Sequence, residues 1–163
     1  MARTSSKAGK KDLVYLVGDM PMGELATPVN SGDFTTWFIN NLPAYRKGLT
    51  SFRRGLEVGM AHGYWLLGPF AELGPLRNAP NGHFVGLLST LGLVVIATLV
   101  MTLYAASNPP LPKPTVTAPA IPDTFTSNKG WDNFAAGFFI GGAGGAVVAF
   151  VVLSLLQLIG LHS

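Results

Sequence analysis

Two ionisable side chains sit in an otherwise apolar stretch of this chain. Residues 53 to 70 read RRGLEVGMAHGYWLLGPF, with an acid at Glu57 and an imidazole at His62. Both side chains are able to donate a lone pair to a metal, and both are costly to bury without a partner. They stand five positions apart, so on a helix they project ~140° from one another at 100° per residue. Two histidines on one helical face at i and i+4 make a familiar zinc arrangement. The spacing of Glu57 and His62 is different, and each must find its own partner. Glu57 follows Arg53 by four residues and Arg54 by three, so a helix-surface ion pair is one reading. His62 reads equally well as a metal ligand or as a hydrogen-bonding contact with a neighbouring helix.

The surrounding glycines suggest close neighbours. Gly55, Gly59 and Gly63 recur every four residues, and so do Gly137, Gly141 and Gly145, with Ala149 continuing the row. Such rows let a second helix or a flat ring approach the backbone. Packing within the chain would use most of this surface. The remainder, with Gly137, Gly141 and Gly145 as its core, is expected to face other subunits.

The elements that would carry these residues are helices in a membrane. Hydrophobic residues make up 48% of the 163 and charged residues only 12%, about half the charged share of a soluble domain. Residues 84–106 and 134–161 contain no charge, and at ~1.5 Å per residue each exceeds a ~30 Å hydrocarbon core. Residues 51–73 have apolar side chains on all sides and are expected to form a further span. The expectation is therefore an all-α membrane protein of one domain with three transmembrane helices. A cytoplasmic-side, partly interfacial N-terminal region covers 1–50, where Asp33 is expected to cap a short helix. A proline-rich connection covers 107–133.

Charge distribution bears on orientation. Eight of the eleven Lys and Arg lie at or before Arg54. With three spans, the positive-inside rule puts the N-terminus in the cytoplasm and the C-terminus across the membrane. Beside long apolar runs, that clustering speaks for topology rather than for nucleic acid. The chain has no cysteine, which excludes disulfides and thiolate metal sites. No phosphate-binding glycine loop, paired carboxylates or Ser/His/Asp set occurs in a credible context, so no enzyme is expected. The opening MARTSSKAGKKDLVYLVGDM reads as a basic cytoplasmic tail rather than a signal or transit segment.

Residues 41 to 77, NLPAYRKGLTSFRRGLEVGMAHGYWLLGPFAELGPLR, resemble the core signature of photosystem I reaction-centre subunit XI, the PsaL family. KGWDNFAAGFFIGGAGGA, 129 to 146, is similar to the start of that family's last span. The resemblance implies a cyanobacterial-type, multi-pass subunit of a thylakoid-type membrane. It would bind antenna chlorophyll a and β-carotene, touch the large core subunits and membrane lipid, and join reaction-centre monomers into oligomers, with trimers expected. It also implies that Glu57 and His62 are axial ligands to two chlorophyll magnesium ions. Oligomer-forming members carry an Asp just after GPLR, associated with calcium at the threefold contact. Asn78 stands there in this chain, and its uncharged amide oxygen implies a weak calcium contact at most. Two further readings stay open: a pigment-free scaffold in which Glu57 and His62 make only inter-subunit contacts, and a proton relay through the same pair.

Overall fold

The structure is a computed structural model that describes residues 14–17 and 25–160. The basic tail from Arg3 to Lys11 and the near-terminal His162 lie outside them. The chain divides into two compact units, one drawn from residues up to Lys47 together with Pro112–Ile121, the other from Gly48–Leu111 and from Pro122 onward.

The smaller unit holds two short strands, β1 (Tyr15–Leu16) and β2 (Leu25–Ala26), paired antiparallel with Tyr15 opposite Ala26. A turn follows, in which the Asn30 Oδ1 accepts from the Thr27 N–H at 2.8 Å. Helix α1 (Asp33–Asn41) comes next. Asp33 was expected to cap it. Instead Gly32 occupies the N-cap without a side-chain bond, and Asp33 lies in the first turn, where its charge complements the positive end of the helix dipole. The proline-rich segment is tied into this unit by asparagine and threonine. Thr117 donates its hydroxyl to the Asn30 carbonyl at 2.7 Å, and Asn40 donates its amide to the Thr117 carbonyl at 2.8 Å. Side-chain bonds of this kind suit a stretch whose prolines lack N–H donors.

The larger unit consists of α2 (Ser51–Leu73), α3 (Gly82–Ala106), a 3-10 turn at Asp123–Phe125, and α4 (Asn128–Leu158). The Thr50 hydroxyl caps α2 by accepting from the Arg53 N–H, and the Ser127 hydroxyl caps α4 by accepting from the Gly130 N–H. Helix α3 runs antiparallel to α4, so Phe84 meets Phe150 at one end while Asn108 meets Asn128 near the other. Leu67, Leu87, Ala146 and Ala149 form the buried centre where the three helices converge.

The expectation of three membrane-crossing helices is corrected here. Among the described residues, two helices are long and apolar enough to cross a membrane, α3 and α4. Helix α2 has the length, at 23 residues, but not the composition. Arg53, Arg54, Glu57 and Glu72 charge it, and His62, Pro69 and its glycines dilute the apolar residues between them. With two such helices, the argument that put the termini on opposite sides loses its basis.

Helix α2 lies along α4, parallel to it and in fixed register. A Cβ added at Gly55 would strike the carbonyl oxygen of Phe134, one at Gly59 that of Phe138, and one at Gly63 that of Gly142. From the other side, Gly137, Gly141 and Gly145 stand against the carbonyls of Phe52, Leu56 and Met60. The two glycine rows interlock backbone to backbone, as small-xxx-small surfaces allow.

Candidate functional site

The glycine seam determines where the two ionisable side chains go. At 100° per residue, Glu57 lies ~160° from both Gly55 and Gly59, so it leaves α2 on the side away from α4. His62 lies ~60° from Gly59 and ~100° from Gly63, at the edge of the seam. Its ring accordingly meets that of Phe138 on α4, with centroids 5.6 Å apart.

His62 is exposed, and its Nδ1 lies 2.8 Å from the carbonyl oxygen of Val58, one turn back. A carbonyl can only accept, so Nδ1 carries the proton. In the neutral imidazole, Nε2 is then left with a lone pair. A backbone carbonyl holding one ring nitrogen while the other faces a metal is the usual support of a ligating histidine.

Glu57 has a nearer competitor. Its Oε1 lies 3.6 Å from Nε of Arg53, an i,i+4 pair in which the arginine side chain is 70% exposed and the carboxylate 26%. That exposure makes the pair worth no more than about 1 kcal/mol. Arg54, the other arginine within reach in sequence, is buried. Its Nε donates to the Thr124 hydroxyl and its Nη2 to the Leu49 carbonyl, both at 3.3 Å. Ser51 shares the same hydroxyl at 2.9 Å, so the 3-10 turn before α4 is clamped to the start of α2.

Along the α2–α4 groove lies an almost wholly apolar cavity of ≈ 490 Å³. Leu56, Met60, Tyr64, Ile140, Gly144 and Val148 contribute to its walls. A Cβ at Gly144 would meet nothing there, so a flat group has room to lie against that helix.

On α2 the two side chains thus leave the helix in different directions, Glu57 beside Arg53 and His62 beside Phe138. The glycine row Gly137, Gly141 and Gly145 meets α2 of the same chain. Asn78 is exposed in the turn between α2 and α3. No cluster of three His, Cys, Asp or Glu capable of holding a bare ion occurs among the described residues.

Two features escaped sequence reasoning. The Arg54–Thr124 clamp joins residues 70 apart, and nothing in an Arg-Arg doublet tells which arginine turns inward. The contact between His83 Nε2 and Glu72 Oε1, 3.3 Å across the α2–α3 turn, falls outside any local helical spacing.

Comparison with known proteins gives a consistent answer. The family profile for photosystem I reaction centre subunit XI, PsaL, matches residues 13–158. A photosystem I reaction center subunit XI from Mastigocladus laminosus is 60% identical over 141 residues, covering 86% of this chain and 82% of the relative. Proteins of the same name from Nostoc punctiforme and Crocosphaera subtropica are 57% and 50% identical. They cover 86% and 89% of this chain, and 82% and 93% of their own lengths.

Proposed function

Because the chain belongs to the photosystem I reaction centre subunit XI family, a non-catalytic subunit, we propose that it holds antenna chlorophyll a and carotenoid in the thylakoid membrane and joins neighbouring reaction-centre monomers into trimers. Its partners in this reading are the large core subunits, further copies of itself and membrane lipid.

The observation that carries the pigment reading is the Val58–His62 hydrogen bond. A chlorophyll magnesium needs one donor from the protein, and His62 would offer it Nε2 while Nδ1 donates to the Val58 carbonyl. Glu57 would hold a second pigment through a carboxylate oxygen. Magnesium there would offset the cost of placing an acid in apolar surroundings. The light absorption and excitation transfer belong to the pigment, while the protein binds, orients and separates. The apolar groove between α2 and α4 suits a carotenoid chain or chlorophyll tail.

Glu57 also supports the other reading, a pigment-free scaffold contact, because Arg53 already approaches its carboxylate. Pigment counting on the purified native complex decides between them. His62→Leu is expected to release one chlorophyll per copy of the chain while the complex assembles. An unchanged count and an unchanged low-temperature absorption spectrum in both His62→Leu and Glu57→Leu would leave only the scaffold.

A further inference from the structure

A second cavity, of ≈ 320 Å³, lies where the α2–α3 turn meets the first turn of α3 and the last turns of α4. Its polar lining includes Arg77, Asn81, His83, Ser154 and Gln157. These come from two separate stretches of chain, residues 77–84 and the end of α4, and converge on one space. Arg77 is exposed and gives one donor, from Nη1, to the Gly74 carbonyl at 3.2 Å, of the five that a guanidinium carries. Ser154 donates its hydroxyl to the Phe150 carbonyl at 2.8 Å, which leaves its oxygen able to accept. Glu72, the nearby carboxylate, does not line the cavity and is engaged by His83.

The level of this cavity matters as much as its chemistry. Helix α3 begins at Gly82 and α4 ends at Leu158, and both are long and apolar enough to cross a membrane. A membrane crossed by both helices would have its head-group region within a turn or two of these ends. The cavity also has an apolar side. Phe84 and Phe150 meet there edge to face, with centroids 6.3 Å apart at 67°, and they lead onto the apolar surfaces of α3 and α4. Polar pockets with a cationic residue at helix ends are suited to anionic head groups.

We propose that this cavity binds a phosphate or sulfonate oxyanion of the kind that anionic membrane lipids carry. Arg77 supplies the charge, Asn81 and Gln157 supply amide donors, and the two phenyl rings border the first carbons of an attached chain. The site is separate from Glu57 and His62, and it stands whether or not those residues hold pigment.

The test uses the intact complex in nonionic detergent. Native mass spectrometry would follow retention of phosphatidylglycerol, of a galactolipid with the same acyl chains, and of inorganic phosphate. Wild type is expected to retain phosphatidylglycerol over the galactolipid. Arg77→Gln is expected to weaken that retention about tenfold, the scale of one charge-assisted hydrogen bond. Gln157→Leu leaves the charge in place and should weaken retention less, with helix content unchanged by circular dichroism. Competition by inorganic phosphate would assign the binding to the oxyanion alone, and its failure to compete would assign a share to the lipid chains. Equal retention of the two lipids by wild type, or phosphatidylglycerol retention unaltered in both variants, would overturn the proposal.

Discussion

Gly59 of α2 lies against the main-chain carbonyl of Phe138 on α4, so near that a Cβ would overlap the oxygen. Backbone gives way far less easily than a side-chain tip, so this contact sets both the separation and the rotation of α2. Gly59→Ala is expected to lower the stability of the α2–α4 pair by about 1–3 kcal/mol, as overpacking does. Gly144→Ala, facing open space on α4, should leave stability unchanged or raise it by up to about 1 kcal/mol through helix propensity. Thermal midpoints of the purified complex compare the two. Equal losses would mean that the seam is not what orients the site.

How much of this was legible in the sequence differs from residue to residue. Two long uncharged runs announced α3 and α4, because a membrane-crossing helix is defined by composition. The glycine rows announced a close approach at both surfaces, but a four-residue spacing carries no information about whose backbone arrives. Only the fold reveals that Gly55 and Phe134, 79 residues apart, belong to one seam. Helix α2 misled for the opposite reason. Its length was readable, yet its charges and glycines suit a helix held against α4 by backbone contact rather than by apolar side chains. That Glu57 and His62 share one helix, α2, was legible from the sequence, and their ~140° offset is what ideal helix geometry then assigns. The choice of Arg53 beside Glu57 needed tertiary structure, because Arg54 is drawn inward by Thr124.

The Arg53–Glu57 contact gives the carboxylate two prospective partners, and they are separable. If magnesium is the partner, Glu57→Leu should release one chlorophyll, distinct from the one released by His62→Leu. Arg53→Ala should then keep both. An exposed ion pair contributes no more than about 1 kcal/mol, so that variant should also leave stability nearly unchanged. Pigment extracted per complex is the measurement. Loss of a chlorophyll on Arg53→Ala, or none on Glu57→Leu, would count against direct ligation by Glu57.

Calcium is expected to be dispensable for association. Asn78 contributes no charge, it is exposed in the α2–α3 turn, and fewer charged ligands weaken a calcium site. Chelation of divalent ions should leave the oligomers of the native complex intact, as read by sedimentation or native gels. Asn78→Asp should make association more responsive to added calcium. Oligomers that fall apart under chelation in the wild type would show that Asn78 and its surroundings hold the ion after all.

The clamp at the start of α2 makes a prediction independent of any ligand. Arg54 is 4% exposed, and the Thr124 hydroxyl it shares with Ser51 is likewise buried. Removing the guanidinium takes one donor from that hydroxyl, which keeps its contact with Ser51, and one from the partly buried Leu49 carbonyl. Hydrogen bonds to a charged group contribute about 1.5–3 kcal/mol, so Arg54→Ala should lower stability by a similar amount. The loss should concentrate on the turn it holds. Lys129, in the first turn of α4, then becomes a sensitive reporter, with faster tryptic cleavage there expected in Arg54→Ala than in wild type. Arg54→Lys keeps the charge but not the planar fork that serves both acceptors, and should fall between the two. Thr124→Val tests the other half of the contact: it should raise cleavage at Lys129 as well, and combining it with Arg54→Ala should add little. Full additivity of the two substitutions would mean that they act on different parts of the structure, and the clamp would not be one unit.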